Sequence, residues 1–311
     1  MPTSNAPRIV CLGDAAVDVF VALEEGAVVG SDANGLVRIS PGGSAANVAV
    51  WLARLGASAG FIGAVGDDYA GGFVRADLER EGVTCHLLRV PAATAAIAVL
   101  LDEAGERTMI ANRAAATLLT PDFIGPHTVP SGSRLHLPAY SLFVTPLAGA
   151  ALAAADRCRE AGGGISVDTS SVGPLRVYGR ERFLELLDRI SPDVLFANDD
   201  EGTFLSGTSD PEEGSLFLQR FAPVVVWKLG AAGAVARGDT YVRVEGLDIP
   251  VLDTTGAGDA FAAAFLCAYV QDVPLAESLD RANRVAAAVV QHIGARPRLA
   301  LDVTGMSDNQ S

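Results

Sequence analysis

The sequence predicts an α/β protein, with a three-layer α/β/α core around a mostly parallel sheet and a small second sheet that forms a lid. Two observations predict this class. Short, nearly all-apolar segments alternate with helical segments along most of the chain, which is typical of a parallel sheet covered on both faces. Two strand-rich pieces interrupt that alternation. The chain has 311 residues, of which 50% are hydrophobic, and this suffices for one large α/β domain or two modest ones.

The core elements follow from apolar runs and from helix signals. Strands buried on both faces are predicted over Arg8–Leu12, Ala59–Val65, Ser133–Pro138, Ile165–Asp168, Val194–Ala197 and Val224–Leu229. Helices are predicted over Ser44–Leu55, Tyr69–Glu81, Pro146–Ala161, Glu181–Ile190, Glu212–Phe221 and Ala260–Val270. Gly82 and the run 162–164 follow two of these helices, and glycine is common just past a helix end.

The lid is predicted from two strand-rich pieces, Phe20–Ser40 and Val83–Asn112, of which the second has a turn at Asp102–Gly105. We therefore predict a discontinuous core of residues 1–19, 41–84 and 113–311, and a β-lid of residues 20–40 and 85–112. A small sheet needs cover on one face, either from the active site or from a second subunit. A homodimer formed through the lid is the expected assembly.

Charge and lysine content exclude several functions. The formal net charge of −14 argues against nucleic acid and anionic membranes as partners. Lys228 is the only lysine among 23 lysines and arginines, so no Gly-Lys-Ser/Thr sequence exists and a P-loop is excluded. No Gly-x-Gly-x-x-Gly follows the first strand, which sets aside a dinucleotide-dependent oxidoreductase.

The cysteines and the start of the chain bear on the compartment. The four cysteines are far apart in sequence, and neither they nor the four histidines have metal-ligand spacing, so reduced core thiols are expected. Residues 1–7 are polar and contain no apolar signal core, and no apolar run reaches membrane-spanning length. We expect a cytoplasmic protein.

The most informative segment is Asp253–Asp259, whose sequence is DTTGAGD. A turn of small residues that opens a helix points several backbone N–H groups at one place, and the helix dipole adds positive potential there. Asp259 would lie beside an anion bound at that place. Phosphoryl transfer to an alcohol needs such a carboxylate, because it accepts the hydroxyl proton. A glycine-rich turn before an acidic first helical turn, without catalytic function, is the alternative that this segment alone leaves open.

A second segment, Gly42–Ala49 with sequence GGSAANVA, is followed by Gly56 and Gly66-Asp67. Together with Asp253–Asp259 it resembles the two signatures of the ribokinase-like (PfkB) carbohydrate kinase family, in the same order and at a similar separation. The resemblance extends from Gly13 to Ala295. It implies a ribokinase-like fold and transfer of a phosphoryl group from ATP to a sugar-like alcohol.

The resemblance assigns catalytic and acceptor residues. Asp259 corresponds to the catalytic base, and the anion hole corresponds to Gly256, Ala257 and Gly258. The residues that correspond to acceptor binding are Asp18, Gly42, Gly43, Asn47 and Asp14, although Asp14 is equally consistent with the cap of a turn. Carboxylates and amides suit sugars because each can bind two hydroxyls.

The resemblance also assigns residues to ATP and its cations. Asn198 and Glu201 resemble an Asn-x-x-Glu element that positions Mg²⁺ and the ATP phosphates, directly or through water. An acidic helix N-terminus is the other interpretation. Asp253 and Thr255 resemble ligands of a monovalent cation, so ATP, Mg²⁺ and K⁺ are the implied cofactors. The implied ATP-binding set is Asn198, Glu201, Lys228, Gly230, Gly233 and Asn283, with a solvated strand end as the alternative for Lys228.

Departures from the family pattern concern the acceptor. Ser44 stands where ribokinases carry lysine, and Ala16 stands where they carry asparagine, which argues against ribose without excluding it. Arg107 and Arg113 flank the second lid piece and either meet an acidic or phosphorylated substrate or are surface arginines. The expected function is ATP-dependent phosphorylation of a primary hydroxyl on a sugar or sugar derivative. A nucleoside kinase of the same fold and a non-catalytic ligand-binding relative are the alternatives.

Overall fold

A computed structural model gives the fold and describes residues 8–23, 30, 32–101 and 107–299. The described strands are β1 Arg8–Leu12, β2 Ala16–Leu23, β3 Gly35–Gly42, β4 Ser58–Gly66, β5 Thr84–Val90, β6 Ala95–Leu101, β7 Arg107–Asn112, β8 Arg134–Pro138, β9 Ile165–Asp168, β10 Val194–Asn198, β11 Val224–Lys228, β12 Ala234–Arg237 and β13 Tyr241–Val244. The described helices are α1 Ser44–Arg54, α2 Tyr69–Arg80, α3 Leu147–Glu160, α4 Val172–Tyr178, α5 Arg180–Ile190, α6 Asp199–Ser206, α7 Pro211–Leu218, α8 Ala257–Tyr269 and α9 Leu275–Val290.

The central sheet has the strand order β13-β12-β11-β10-β9-β8-β1-β4-β5. The strands from β11 to β5 are parallel, and β12 and β13 extend one edge antiparallel. A parallel sheet needs cover on both faces, and here an apolar core lies on each. One core contains residues of α1, α8 and α9, and the other contains residues of α3 and α5. The predicted fold class is confirmed.

The strands alternate between the two cores, and β10 illustrates why its sequence has no polar face. Val194 and Phe196 lie in one core, and Leu195 lies in the other. Because successive side chains point to opposite faces, both faces of β10 require apolar residues. The same argument explains why β9 is buried along its whole length.

The second sheet has the order β3-β2-β6-β7. Its boundaries differ from the predicted lid. Residues 85–90 belong to β5, which pairs with β4 at the edge of the central sheet, whereas residues 16–19 and 41–42 lie in lid strands. β5 is an edge strand whose residues are mostly exposed or half-buried, with Leu87 alone buried. Its local sequence therefore does not distinguish it from a lid strand. The turn predicted at Asp102–Gly105 lies outside the described residues.

Several elements were not predicted. The short strands β12 and β13 have four residues each and surround a polar turn, so their apolar signal is weak. Helices α4, α6 and α9 were also not predicted as elements. All four cysteines are unpaired, as expected, and three of them are buried. Of the helices in the described part of the chain, none combines the length and the apolar character needed to cross a membrane.

Candidate active site

The site lies where the parallel strands end. Asp168, Asn198 and Lys228 are the last residues of β9, β10 and β11. The register places Asn198 beside Lys228 and Asp168 beside Phe196, so the three polar side chains follow buried runs at one sheet edge. Ligands of open α/β sheets bind at this edge. Lys228 Nζ lies 2.8 Å from Asp168 Oδ2, and sequence reasoning had not singled out Asp168.

Lys228 stays charged in this setting. Burial by itself would lower its pKa, but the carboxylates of Asp168 and Glu201 outweigh burial and raise it. A Cβ atom placed on Gly258 would lie 3.4 Å from Lys228 Nζ. The ammonium group is therefore next to the first turn of α8.

The N-terminus of α8 is the predicted anion hole. Gly256 has φ 74° and precedes the helix, which begins at Ala257 rather than at the predicted Ala260. A Cβ on Gly256 would lie 2.5 Å from the Cβ of Ala295, so only glycine fits this turn. Among the described residues no side chain caps the helix, and Asp259 lies in its first turn. The leading N–H groups of a helix have no intrahelical partner, and they make this end electropositive.

Asp259 is half-buried and accepts two hydrogen bonds from α1. Ser44 Oγ donates to its Oδ1 at 2.7 Å, and Asn47 Nδ2 donates to its Oδ2 at 2.8 Å. Burial raises the pKa of Asp259 to about 7, the two hydrogen bonds oppose this rise, and the charges of Asp168 and Asp14 add to it. A carboxylate with a pKa near neutrality accepts a proton more readily than an ordinary aspartate does.

Asn47 is itself held by Arg296. The Arg296 guanidinium donates from Nε to Asn47 Oδ1 at 2.6 Å, from Nη1 to Asp77 Oδ2 at 2.7 Å and from Nη2 to the Gly42 carbonyl at 3.1 Å. The Arg296 and Asp77 side chains are only 5% and 3% exposed. Asn47, expected to bind substrate, thus has both amide atoms engaged by the protein. Sequence reasoning missed Arg296, although it directly follows Gly294-Ala295, where the family resemblance ends.

The acceptor end contains a buried carboxylate with an unused oxygen. Asp18 is 8% exposed, and its Oδ1 has no hydrogen-bond partner among the described residues. Burial raises its pKa to about 6, Arg296 opposes this rise, and Asp14 adds to it. A Cβ on Gly42 would lie 2.2 Å from Asp18 Oδ2, so glycine is required there.

Gly43 and Asp14 complete this end of the site. Gly43 has φ 94°, and a Cβ on it would lie 2.6 Å from the carbonyl oxygen of Asp14. The Asp14 carboxylate accepts a hydrogen bond from the backbone N–H of Ala45 at 3.4 Å and lies 3.5 Å from Arg113 Nη1. The structure thus brings together Asp14, Asp18 and both glycines, to which the family resemblance assigns acceptor binding. The side chain of Arg107 lies outside the described part of the chain.

Asn198 and Glu201 form a capping box at the start of α6. Glu201 Oε2 accepts from the Asn198 backbone N–H at 2.9 Å and from Thr169 Oγ at 2.5 Å, and its Oε1 accepts from Asn198 Nδ2 at 2.8 Å. Burial raises the pKa of Glu201, although Lys228 opposes the rise. Both Glu201 oxygens therefore already have protein donors.

The hydrogen bonds of Glu201 bear on how the site could hold a metal ion, because both of its carboxylate oxygens are already engaged. No group of three or more His, Cys, Asp or Glu able to hold a metal ion occurs within the described ranges. Mg²⁺ prefers to keep several waters and to take its other ligands from one or two carboxylates and from substrate phosphates. Asn198 and Glu201 accordingly fit an Mg²⁺ that arrives on a nucleotide and is held through water.

Three of the residues expected to contact the nucleotide, Gly230, Gly233 and Asn283, lie beyond β11. Gly230 and Gly233 have φ 58° and 92°, and a Cβ on Gly233 would lie 2.1 Å from the Val244 carbonyl. Asn283 is only 9% exposed, and its Nδ2 donates to the Glu245 carbonyl at 3.4 Å. The glycine turn and Asn283 thus both adjoin the segment that follows β13.

Asp253 joins two loops beside the anion hole. Its Oδ1 accepts from the Thr255 backbone N–H at 2.7 Å, and its Oδ2 accepts from the Gly294 backbone N–H at 2.8 Å. The side chain is 3% exposed. These bonds fix the turn before α8 against the segment after α9, where Ala295 closes on Gly256.

Comparison with known proteins gives concordant matches. Residues 6–300 match the model of the pfkB family carbohydrate kinases. An ATP-dependent ribose-1-phosphate kinase from Halopiger xanaduensis is 37% identical over 262 residues, which cover 83% of this chain and 83% of that protein. The crystal structure of an adenosine kinase from Sinorhizobium meliloti matches with a TM-score of 0.85 and 28% identity, covering 97% of this chain and 99% of that chain. A fructokinase from Vibrio cholerae O395, solved with fructose, ADP and calcium ion, matches with a TM-score of 0.78 and 30% identity, covering 93% and 94% of the two chains.

Proposed function

The chain belongs to the pfkB family of carbohydrate kinases, and on that premise we propose that it transfers the γ-phosphoryl group of ATP to a primary hydroxyl of a sugar or sugar derivative. One observation carries the proposal. Asp259, with its pKa raised to about 7, lies in the first turn of an uncapped helix beside the Lys228 ammonium. A proton acceptor and an anion site thereby adjoin each other, as attack of an alcohol on a phosphoryl group requires.

In the proposed reaction the acceptor oxygen attacks the γ-phosphorus while the bond to the ADP oxygen breaks. The hydroxyl proton passes to Asp259, which Ser44 and Asn47 hold in orientation. The N–H groups of Gly258 and Asp259, which open α8, stabilise the charge of the transferring group. The N–H of Ala257, the third residue assigned to this role, donates to the Thr254 carbonyl at 3.2 Å in the structure and must leave it to join them. Lys228 supports the same anion from the sheet edge. Gly256 provides the left-handed turn that aims these groups.

The cofactors of the proposed reaction are ATP, Mg²⁺ and a monovalent cation. When bound with ATP, Mg²⁺ would neutralise phosphate charge, and Asn198 and Glu201 would hold it through water. Gly230 and Gly233 give the nucleotide a close backbone approach, and Asn283 lies beside the same segment. Asp253 and Thr255 are proposed to support a monovalent cation such as K⁺ beside the anion hole.

The acceptor would lie between Asp259 and the lid. The unpartnered Oδ1 of Asp18 would accept a hydroxyl, Gly42 and Gly43 would admit the acceptor close to the backbone, and Asp14 would border it. We further propose a homodimer formed through the lid. Large apolar lid residues stay exposed in the single chain, at Leu36, Val37, Ile39, Met109 and Ile110, and exposed apolar patches mark interaction surfaces.

The proposal is tested by coupled ADP release across free sugars, sugar acids, sugar phosphates and ribonucleosides, with ATP and Mg²⁺ present. We expect ADP release that depends on one class of acceptor. Saturable binding of an acceptor without ADP release would instead identify a non-catalytic ligand-binding protein. Light scattering that gives a monomer mass would remove the proposed lid dimer and leave the catalytic proposal standing.

A further inference from the structure

A cavity of about 490 Å³ opens beside Asp14. It is bounded by Arg113, by the residues that follow β8 and by α4 and α5. Pockets of about 300–1,000 Å³ bind ligands of drug size. The catalytic proposal uses only the edge of this cavity, since Asp14 is the sole residue assigned to the acceptor among those that line it.

The cavity is continuous with the proposed acceptor site. Asp14 lines it and also accepts the backbone N–H of Ala45, which follows Ser44, a hydrogen-bond donor to Asp259. Tyr140 also lines the cavity, and it is close enough to Asp14 and Asp259 for their charges to affect its pKa. Burial is the main reason that its pKa is raised, and the charges of Asp14 and Asp259 contribute to the rise. An acceptor whose primary hydroxyl reaches Asp259 would direct its far end into this cavity.

The wall of the cavity is aromatic and apolar. Tyr140, Phe143 and Tyr178 line it, and the Phe143 and Tyr178 ring centroids are 5.1 Å apart. Its other lining residues are mostly aliphatic, and they include Val144, Leu147 and Val177. A free sugar is covered with hydroxyls and would find few partners on such a wall, whereas the face of a planar ring would be well matched.

The two arginines of the wall are already engaged. Arg113 lies 4.3 Å from the Tyr140 ring centroid and 3.5 Å from Asp14, and Arg182 lies 4.5 Å from the Tyr178 ring centroid. Both cations thus cover one face of a tyrosine ring, and Asp14 offsets the charge of Arg113. Among the described residues no arginine lies over Phe143, so its ring is the one we assign to stacking, and a phosphorylated acceptor held by the two arginines is the competing occupant for the test below.

We infer that the acceptor is a sugar that carries a planar aromatic substituent, as a ribonucleoside does, with that substituent in the cavity lined by Tyr140, Phe143 and Tyr178. The inference rests on the proposed kinase function for the position of the primary hydroxyl. The inference assigns the aromatic substituent of the acceptor to the cavity beside Asp14 and makes Phe143 a residue that determines acceptor specificity.

The test compares acceptors that share one sugar. We would measure kcat/KM by ADP release for D-ribose, ribose 1-phosphate, adenosine, inosine and cytidine, and binding of the same compounds by calorimetry. Stacking of one base contributes enough for a preference of about 5-fold to 150-fold, so at least one nucleoside should exceed ribose by about tenfold. Fastest turnover of ribose or of ribose 1-phosphate would overturn the inference.

Binding separates this inference from the kinase proposal. Tight nucleoside binding with no ADP release from any acceptor would support the aromatic site and contradict the kinase function. Absence of nucleoside binding would overturn the inference whatever the turnover of other acceptors.

Two variants locate the effect. Phe143→Ala removes a ring from the wall, and Val144→Trp fills the cavity from a partly exposed position. Each should lower the ratio of nucleoside to ribose kcat/KM by about tenfold, as loss of one stacking contact would. Phe73→Ala is the matched control, because Phe73 is 40% exposed on α2 and does not line the cavity. An unchanged ratio in both cavity variants would place the substituent elsewhere and overturn the inference.

Discussion

Asp259 is half-buried and Asp18 is buried. The two carboxylates lie at the two ends of one proposed site, and the protein surrounds them differently. Asp259 accepts hydrogen bonds from Ser44 and Asn47, whereas Asp18 Oδ1 has no partner within the described residues. Burial raises the pKa of both, to about 7 and about 6. An unpartnered buried oxygen is costly until a ligand supplies a donor. If the proposed roles hold, the fold itself supplies the hydrogen-bond partners of the base Asp259 and leaves Asp18 for the substrate to complete.

The largest expected effect comes from removing the base. Asp259→Asn keeps the size of the side chain and removes its ability to accept the proton. Loss of a general base costs about 10²–10⁴-fold in rate, so kcat should fall at least that far, while ATP affinity measured by calorimetry should stay near that of the unmodified protein.

Asp200→Asn is the matched control for this change. Asp200 is exposed in the first turn of α6, so the same chemical change there should leave kcat nearly unchanged. Equal, small effects of the two substitutions would contradict the assignment of Asp259 as the base. The proposed difference in role between Asp259 and Asp18 would then have no support.

Arg296 joins the two ends, since it bonds to Asn47 beside Asp259 and to Gly42 beside Asp18. Asp77→Ala would leave its guanidinium buried without a carboxylate. Breaking a buried pair in this way costs about 3–5 kcal/mol of unfolding free energy, which urea titration would measure. The exposed pair of Arg89 and Asp67 is the control, because Asp67→Ala should cost only about 0–1 kcal/mol. Similar losses in the two variants would show that the buried pair does not tie the ends together.

The sequence predicted the phosphoryl end better than the contacts that hold it. Asp259 and its glycine turn are local in sequence, so turn and helix chemistry singled them out as a candidate, and the family resemblance then assigned their roles. Ser44 and Asn47 meet Asp259 across 215 and 212 residues, and Arg296 meets Asn47 across 249. Contacts of such separation depend on how α1 and the chain after α9 pack against α8, which no local pattern contains. The same limit explains why residues 85–90 were assigned to the lid, since the pairing of β5 with β4 is a contact that the local sequence of β5 does not contain.

A smaller effect is expected at the acceptor end. Asp18→Asn weakens the partner offered to the substrate hydroxyl, and a hydrogen bond to a charged group is worth about 10-fold to 150-fold in affinity. The KM for the acceptor should rise by about that factor, while the KM for ATP should not change. A larger loss in kcat than in acceptor affinity would mean that Asp18 acts in the chemistry and that the contrast with Asp259 is false.

The same variant tests the cost of the unpartnered oxygen. Because the folded-state pKa of Asp18, about 6, exceeds its ordinary value of 3.8, the folded protein binds this proton more tightly than the unfolded chain does. Stability contributed by the protonated form is therefore lost as pH rises from about 4 to about 6. Asp18→Asn lacks this loss, so its Tm relative to the unmodified protein should increase across that window. A constant difference in Tm would show that Asp18 is not strained without substrate.

The smallest effect is a shift in pH dependence at the phosphoryl end. With the pKa of Asp259 raised to about 7, kcat/KM should fall as pH drops below about 7, because the base becomes protonated. The hydrogen bond from Ser44 opposes the rise in this pKa. Ser44→Ala should therefore move the acid limb to higher pH, and Ser44→Thr, which keeps the hydroxyl, should restore it. If the acid limb stayed in place in Ser44→Ala, the hydrogen bond from Ser44 would not control the pKa of Asp259. The hydrogen bonds from α1 would then not distinguish Asp259 from Asp18.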